Sequence, residues 1–511
     1  MGEKVKVSAV VPVYNGSRFI GRCIGSILPQ LTSECELIVV DDASTDGTFE
    51  LLCSLFRDEP KLILIRRTVN GGPAAARNMG IRVSRGEYVG FCDADDEWGT
   101  NHLSEALGYL EANPDKQAVF TNGSTENEGT GERAEKLALY AESDKIHLRT
   151  MLCRKEVFDM AGLLDESLRL REDTEWIVRA RKAGVRSGYL GEESYIRHIR
   201  DDGLSAGADE EGRAERMVQA MLKGIRRGTA ARNGQETAET SAGNGPEVPG
   251  AAGSSAGSGL AAPGYTCDVS ILIPMYNAEK YIAEAVNSCC SDRYSVELII
   301  VDDGSKDRSR DVLLPLLEEC AGRGTAAIVM ARKHKGQASS RNDALHLAGG
   351  RHILFLDADD RFVPGAVDIM ADACAGAREG EGPVLVSALC RDFISPELTE
   401  EEAASLKINP GPYRRMLSGC MFASRALYDR IGEFNEEMPT SETAEWVMRM
   451  RDAGIRIVEI DDIVLARRYH KTNLGRTSRK AQMESYLALV RGRLKARQAG
   501  NGAGQPPGQS S

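Results

Sequence analysis

Gly86-Glu87-Tyr88-Val89-Gly90-Phe91-Cys92-Asp93-Ala94-Asp95-Asp96 is a short apolar run that ends in three carboxylates. It reads as a buried parallel strand that delivers acids to its C-terminal edge, where ligands sit in open α/β sheets. Clustered carboxylates repel one another unless a cation or a donor network offsets the charge. Taken alone, an Asp-x-Asp triplet reads more often as a solvated acidic turn than as a site. Recurrence changes that reading, because Gly350-Arg351-His352-Ile353-Leu354-Phe355-Leu356-Asp357-Ala358-Asp359-Asp360 repeats the pattern.

Outward from these runs the chain alternates strand and helix patterns. Val5–Asn15 reads as a first strand, closed by Pro12 and the turn-forming Asn15-Gly16. A helix with Phe19, Ile20, Cys23, Ile24, Ile27 and Leu28 on one face follows, then a strand over Cys35–Asp42 and a third over Leu62–Ile65. Asn70-Gly71-Gly72-Pro73 opens a helix that carries Arg77, with Pro73 suited to its first turn. Leu148–Leu164 regains helical periodicity, and Arg171–Trp176 opens an amphipathic helix with acids in its first turn. Right-handed crossovers restrict such a rhythm to a doubly wound, mostly parallel sheet covered on both faces.

The second copy answers the first stretch by stretch. Val269–Asn277 matches the first strand, Leu298–Asp307 the second, Lys335–Asn342 the Gly-rich helix start and Ser441–Trp446 the acidic one. His470 pairs with His198 in this reading. Residues 229–264 are rich in Gly, Ala, Ser, Asn and Pro, the composition of a flexible linker. The expected organisation is a domain over 1–228, that linker, a second domain over 265–498 and a disordered tail over 499–511. Each half ends in a basic amphipathic segment, Arg216–Arg227 and Arg479–Arg497. Docking on the parent domain is the first reading of these segments, and peripheral membrane association is the second.

Composition bounds the answer. A chain of 511 residues exceeds one ordinary core, and 42% hydrophobic residues suffice for globular cores without any run long enough to span a membrane. Met1-Gly2-Glu3-Lys4-Val5-Lys6 carries no signal-peptide pattern, and 12 cysteines without a C-x-x-C read as reduced thiols, so the expected compartment is the cytoplasm. A formal charge of −12 gives no general attraction to nucleic acid.

The candidate site residues converge on a nucleoside diphosphate. Hard Mg²⁺ or Mn²⁺ takes one or two carboxylates plus phosphate oxygens, so Asp93-Ala94-Asp95 predicts a metal-bridged diphosphate. Asp41 and Asp42 end a strand beside the first, where a carboxylate accepts hydrogen bonds from a base or ribose. Tyr14 is placed to stack on a base or to fill the core. Arg77, on the first turn of its helix, suits a phosphate contact or an ion pair with Asp41. Asp46 and Asp307 read as caps.

Val11-Pro12-Val13-Tyr14-Asn15, Val40-Asp41-Asp42-Ala43-Ser44-Thr45-Asp46-Gly47-Thr48, Asn70–Asn78 and Asp93-Ala94-Asp95-Asp96, each with a second-half counterpart, resemble the family-2 glycosyltransferases of the GT-A fold. The resemblance covers nearly all of both halves. It implies two tandem GT-A-like domains and inverting, metal-dependent transfer of a sugar, as by a hexosyltransferase, from a nucleotide sugar. The acceptor would be a glycan, lipid-linked or protein hydroxyl in polysaccharide or glycoconjugate synthesis. Carried over by motif, Asp42 and Asp303 hold the base, with Tyr14 and Tyr276, and Pro12 and Pro274, beside it. Arg77, Arg341, Asp93 and Asp357 border the donor, Asp95 and Asp359 ligate Mg²⁺ or Mn²⁺, and His198 and His470 face the diphosphate. Glu172-Asp173 matches the family's acidic pair, whose Asp is the general base.

The second half departs at that base, with Thr443 after Glu442 where the first has Asp173. Either Glu442 or Glu445 substitutes, or the second domain binds a sugar nucleotide or glycan without turnover. A rival reading is a non-catalytic tandem binding module. The phosphate-loop pattern G-x-x-x-x-G-K-[ST] is missing, and no G-x-G-x-x-G follows a strand.

Overall fold

The computed structural model describes residues 5–56, 59–128, 146–200, 266–377, 383–406, 408–409, 411–438 and 441–471. The expected linker 229–264, the tail 499–511 and both basic segments lie outside the described residues. The chain divides into two compact units, one of Met1–Ala256 with Val329–Lys333 and the other of Gly257–Ile328 with His334–Ser511. Among the described residues no helix is long and apolar enough to cross a membrane.

In the first unit the order is β1 (Val7–Val13), α1 (Ile20–Ile27), β2 (Cys35–Asp41), α2 (Thr48–Leu55), β3 (Leu62–Arg67), α3 (Pro73–Val83), β4 (Tyr88–Phe91), β5 (Glu97–Trp98) and α4 (His102–Ala112). Then come β6 (Ala118–Asn127), β7 (Met151–Arg154), α5 (Val157–Ala161), α6 (Glu172–Lys182) and β8 (Ser187–Ile199). β3, β2, β1 and β4 pair in parallel, in that spatial order, as the βαβ rhythm requires. Their apolar runs are buried throughout, with Val7, Val10, Leu37, Ile38 and Val89 fully enclosed, because helices cover both faces.

Beyond β4 the sheet turns mixed. β7 runs antiparallel to β4, β6 runs antiparallel to β7, and β8 runs parallel to β6. This corrects the helical expectation over Leu148–Leu164: the buried run Met151-Leu152-Cys153 forms a strand, and only Val157–Ala161 is α-helical. A short apolar run fits either period, and here the open edge of β4 decides.

The second unit repeats this plan with β9 (Cys267–Met275), α7 (Ile282–Asn287), β10 (Val296–Asp302), α8 (Ser309–Gly322), β11 (Ala326–Ala331), α9 (Gln337–Leu347), β12 (Gly350–Phe355), β13 (Arg361–Phe362) and α10 (Ala366–Gly376). β14 (Val384–Ile394), α11 (Glu400–Ala404), β15 (Tyr413–Arg414), β16 (Met421–Ser424), α12 (Arg425–Ile431), α13 (Glu442–Asp452) and β17 (Arg456–Tyr469) complete it. β10, β9 and β12 are parallel, and β16 is antiparallel to β12. β14 pairs antiparallel with β16 and parallel with β17, so the order of the first unit recurs.

Two features aim this scaffold at one edge. α3 is buried on almost every side, so its polar residues must find partners inside: Asn78 takes the backbone of Leu164, and Arg77 takes carboxylates. The helix starts at Gly72, whose φ of 87° favours glycine, and Gly336 repeats this at 102°.

Candidate active site

In the first unit the turn after β4 separates three neighbouring carboxylates. Asp93 accepts a 2.6 Å hydrogen bond from Arg77 Nη2, with Arg149 Nη1 4.0 Å away. Asp95 accepts from Arg200 Nη2 at 2.8 Å. Asp96 turns inward, taking the Tyr195 hydroxyl and the His198 backbone N–H, and so pins the end of β8 over the turn. Burial, with the charges of Asp95 and Asp93, pushes the Asp96 carboxyl up to about 7. Burial opposes the charge on Asp93 too, but Arg77 and Arg149 outweigh it and hold that group below its ordinary range.

The acidic helix α6 meets this turn through Arg77. Arg77 is 7% exposed and its Nη1 donates to Glu172 at 2.6 Å, so one guanidinium ties the end of β4 to the start of α6. The expected pair with Asp41 is corrected: Nη1 and Nη2 donate to Glu172 and Asp93 instead. The residue before α6, Arg171, sits at φ 62°, a left-handed conformation that costs a non-glycine residue about 1–3 kcal/mol and clusters at functional sites.

Asp173 follows Glu172 and accepts a 3.0 Å hydrogen bond from His147 Nδ1, a residue the sequence reading missed. His147 lies just before β7, and no spacing links it to Asp173; tertiary folding alone joins them. Burial pushes the Asp173 carboxyl up, but the His147 bond and charge, with Arg77 and Arg149, outweigh it and hold the group well below the ordinary carboxylate range. It is therefore ionised at neutral pH and positioned by a neighbour.

At the other end of the edge, Tyr14 and Tyr276 follow β1 and β9 and are each 49% exposed. Pro12 and Pro274 lie two residues earlier in those strands, opposite Val40 and Val301. Asp42 is buried and accepts the N–H groups of Gly71 and Gly72, at 3.0 and 2.6 Å, together with Arg67. Asp303 accepts from Lys335 N and Gly336 N, both at 2.8 Å, and lies 2.8 Å from His334 Nδ1. Both carboxylates thus shape the Gly-rich turn. Asp46 and Asp307 stand one residue before the N-caps Gly47 and Arg308, and they accept the backbone N–H groups of Thr48 and Ser309 from there.

The second unit keeps the frame and changes the tools. Arg341 bridges Asp357, at 3.0 Å, and Glu442, as Arg77 bridges Asp93 and Glu172. Thr443 Oγ1 accepts from Arg341 Nη1 at 2.9 Å, and Glu445 is bound by Arg449 at 2.9 Å. Neither acid considered as a substitute base stands apart from a guanidinium. The 3₁₀ turns Leu148–Thr150 and Ser418–Cys420, which precede β7 and β16, align the two halves here. Leu417 and Gly419 then stand where His147 and Arg149 stand. The base position has lost two of its neighbours along with its carboxylate and keeps only the guanidinium, that of Arg341.

One pairing from the sequence is corrected by strand register. β5 puts Ile196 opposite Glu97, β13 puts Ala466 opposite Arg361, and the backbone N–H groups of His198 and Arg468 go to Asp96 and Asp360. His198 therefore matches Arg468, and His470 matches Arg200. His198 Nε2 lies 2.8 Å from Glu97, whereas His470 Nε2 lies 2.9 Å from Asp359. A two-residue slip keeps a side chain on the same strand face, which is why nearest-histidine matching misled.

These donor sets differ in how they suit a divalent ion. Asp359 and His470 share a 2.9 Å hydrogen bond, a carboxylate oxygen and an imidazole nitrogen that are both ligand types open to Mn²⁺, whereas Mg²⁺ prefers oxygen alone. In the first unit Asp95 meets a guanidinium, a donor-only group that cannot ligate, and Asp93 is engaged by Arg77. Among the described residues no cluster of three or more His, Cys, Asp or Glu side chains has metal-holding geometry.

A family model described as Glycosyl transferase family 2 matches residues 8–169 and 270–379, more than half of the chain. An uncharacterized glycosyltransferase, EpsJ of Bacillus subtilis, is 32% identical over 207 residues, 37% of this chain and 60% of that protein. An uncharacterized glycosyltransferase of Rickettsia felis is 24% identical over 391 residues, 71% of this chain and 62% of that protein. Each match thus spans less than two thirds of the relative's length. A solved mannosyltransferase from Pyrobaculum calidifontis, in complex with GDP-Man and Mn²⁺, is 26% identical, with 44% of this chain and 65% of that one covered and a TM-score of 0.36.

Proposed function

Because this chain belongs to glycosyl transferase family 2, we propose that its first half, 1–228, transfers a sugar with inversion from a nucleoside-diphosphate sugar to an acceptor hydroxyl. One observation carries the reading: a half-buried Asp173 carboxylate, 3.0 Å from His147, beside the Asp93–Arg77–Glu172 bridge at the ligand edge of the sheet.

The residues divide the work as follows. Asp173 accepts the acceptor hydroxyl proton as that oxygen bonds to the anomeric carbon in line. The bond from that carbon to the diphosphate oxygen breaks, and its electron pair leaves with the nucleoside diphosphate. No covalent enzyme intermediate is required. His147 keeps Asp173 ionised and aimed. Arg77 and Glu172 fix the helix start so that the base stays at working distance from the Asp93–Asp95 turn. Tyr14 offers an exposed ring for a nucleobase, and Asp42 holds the Gly71–Gly72 turn beside it.

The second half, 265–498, keeps the counterparts Tyr276, Asp303, Arg341, Asp357 and Asp359 but has Leu417 and Thr443 at the base position. We assign it donor or glycan binding without turnover. There Asp359 and His470 would hold Mn²⁺, an ion that supplies counter-charge to a diphosphate. The acceptor belongs to polysaccharide or glycoconjugate chemistry.

The test is nucleoside diphosphate release by the full chain with a panel of sugar nucleotides, with and without added glycan acceptors. Release that disappears in Asp173→Asn, while the nucleotide still binds, is the expected result. Binding without any release across the panel would leave a tandem binding module.

A further inference from the structure

The two halves present different nitrogen side chains to the matching carboxylates, Asp95 and Asp359. Counted from the paired residues Ile196 and Ala466, Arg200 and His470 occupy one and the same strand position. The contacts agree, with Arg200 Nη2 2.8 Å from Asp95 Oδ2 and His470 Nε2 2.9 Å from Asp359 Oδ2. Their chemistry does not. An imidazole nitrogen has a lone pair to give a metal, whereas a guanidinium only donates hydrogen bonds and carries a permanent charge.

Geometry separates them further. Two adjacent ligands of an octahedral ion, each bound at roughly 2.0–2.1 Å, lie about 3 Å apart. The Asp359–His470 contact of 2.9 Å is a hydrogen bond whose spacing an octahedral edge could take over, and both of its partners, unlike the Asp95–Arg200 pair, are of ligand type. At Asp95 the partner cannot ligate, and two more guanidinium groups, Arg77 at 2.6 Å and Arg149 at 4.0 Å, offset Asp93. A turn compensated in that way has little attraction left for a dication. In the second half Gly419 replaces Arg149, and Arg341 is the guanidinium bonded to Asp357. Arg468, two residues before His470, sends Nη1 and Nη2 to Ser395 and Glu284 while its Nε bonds the Asp359 backbone carbonyl.

We infer that Arg200 is the first half's counter-charge for the donor diphosphate, in the place of a divalent cation, so that divalent-cation binding belongs to the second half alone. The inference rests on the nucleoside-diphosphate reading given above. A guanidinium suits the task because its planar fork matches two phosphate oxygens and its charge is present at any working pH. Passing from Asp95 to a phosphate exchanges one oxyanion for another. The Phe19 ring, 4.2 Å from the Arg200 guanidinium carbon, supports the cation during that exchange. In the second half Tyr281 holds the ring position of Phe19 and lies tilted against His470, with centroids 4.6 Å apart.

The experiment uses the full chain. Mn²⁺ is titrated by electron paramagnetic resonance in the presence of UDP, GDP, ADP or dTDP, and nucleotide affinity is measured by calorimetry with and without chelator. We expect a single Mn²⁺ per chain, lost in Asp359→Ala and in His470→Arg, unchanged in Asp95→Ala, and joined by a second in Arg200→His. With chelator present, nucleotide binding to the first half should persist, should weaken roughly 10–100-fold in Arg200→Ala, and should recover in part in Arg200→Lys. A count of zero or two for the unaltered chain, or loss of Mn²⁺ in Asp95→Ala with retention in Asp359→Ala, overturns the inference while leaving the donor reading standing. If none of the four nucleotides binds under any condition, the donor reading itself falls and takes the inference with it.

Discussion

The two halves agree in the residues that build the ligand edge and disagree in those that would work there. Arg77 and Arg341 bridge the same two positions, and Asp42 and Asp303 hold the same turn. His147, Arg149 and Asp173 have given way together to Leu417, Gly419 and Thr443. The pattern teaches that a buried bridge is a folding requirement kept in both copies, whereas a base and its hydrogen-bond partner form a unit with no value in parts. A lone Asp at position 443 would have an apolar neighbour where His147 now supports the first copy.

The sharpest way to break the comparison is to remove the base from each copy. Asp173→Asn keeps the shape and loses the basic oxygen, so turnover should fall roughly 10²–10⁴-fold, or about 3–5 kcal/mol of barrier. Thr443→Asn removes no base and should leave turnover as it was. Steady-state release of nucleoside diphosphate by both full-length variants checks this, and equal loss in the two would mean that the second half turns over as well.

A second pair of changes tests the shared frame. Glu172→Ala and Glu442→Ala each leave a buried arginine without one of its carboxylates, and each should destabilise its own half by about 3–5 kcal/mol. Calorimetric melting should show the two losses to be similar. A much smaller loss for Glu442 would mean that Thr443 Oγ1, 2.9 Å from Arg341 Nη1, takes over as its partner.

How much of this was legible in the sequence follows from what kind of signal each feature leaves. Val7–Val13, Cys35–Asp41 and Tyr88–Phe91 announce themselves as apolar runs with turn residues at their ends, and doubling the motif doubles the signal. The strand Met151–Arg154 has no such punctuation and borrows its conformation from the edge of β4. Asp93, Asp95 and Asp173 stand out as acids after apolar runs or at a helix start. His147 stands out in no way, because its meaning is a contact between segments far apart in the chain. Arg77 and Asp42 have something in common: motif position marks a residue for the site, not which protein groups it also holds, and their bonds to Glu172 and Gly72 come only with the fold. Register is hidden as well, and only the β5–β8 and β13–β17 ladders separate His198 from His470.

A third change copies the second half into the first. His147→Leu removes a charged-group hydrogen bond worth about 1.5–3 kcal/mol, so turnover should drop roughly 10–100-fold. The sign of the pH effect is determined by Asp173, whose folded value is held down by His147, Arg77 and Arg149. A depressed carboxyl stabilises the fold above its unfolded value and loses that contribution as pH falls through the folded one. Without His147 the folded value rises, so the acid limb of the kcat/KM profile should move to higher pH and acid unfolding should begin sooner. An unshifted acid limb would place the working base elsewhere.

The smallest expected effect lies at the rim, where one ion pair has exchanged its charges. Arg22 meets Glu97 at 3.3 Å and Glu128 at 2.6 Å, while Glu284, in the place of Arg22, meets Arg361, in the place of Glu97, and Arg468, in the place of His198. The surroundings differ more than the inversion suggests. Arg22, Glu97 and Glu128 are all partly solvated, and an ion pair in that setting contributes roughly 0–1 kcal/mol. Arg468 is almost wholly buried, so its carboxylate partner offsets a desolvation that water does not relieve. Arg22→Glu should therefore lower the melting temperature by no more than about 2–4 °C, and added salt should shrink the difference. Glu284→Arg should cost more and respond less to salt, because it leaves Arg468 and Arg361 facing a third cation. Melting curves of the two variants at low and high ionic strength decide the matter: equal losses would mean that burial of Arg468 matters no more than exposure of Arg22, and that the exchange of charges is a surface exchange in both halves.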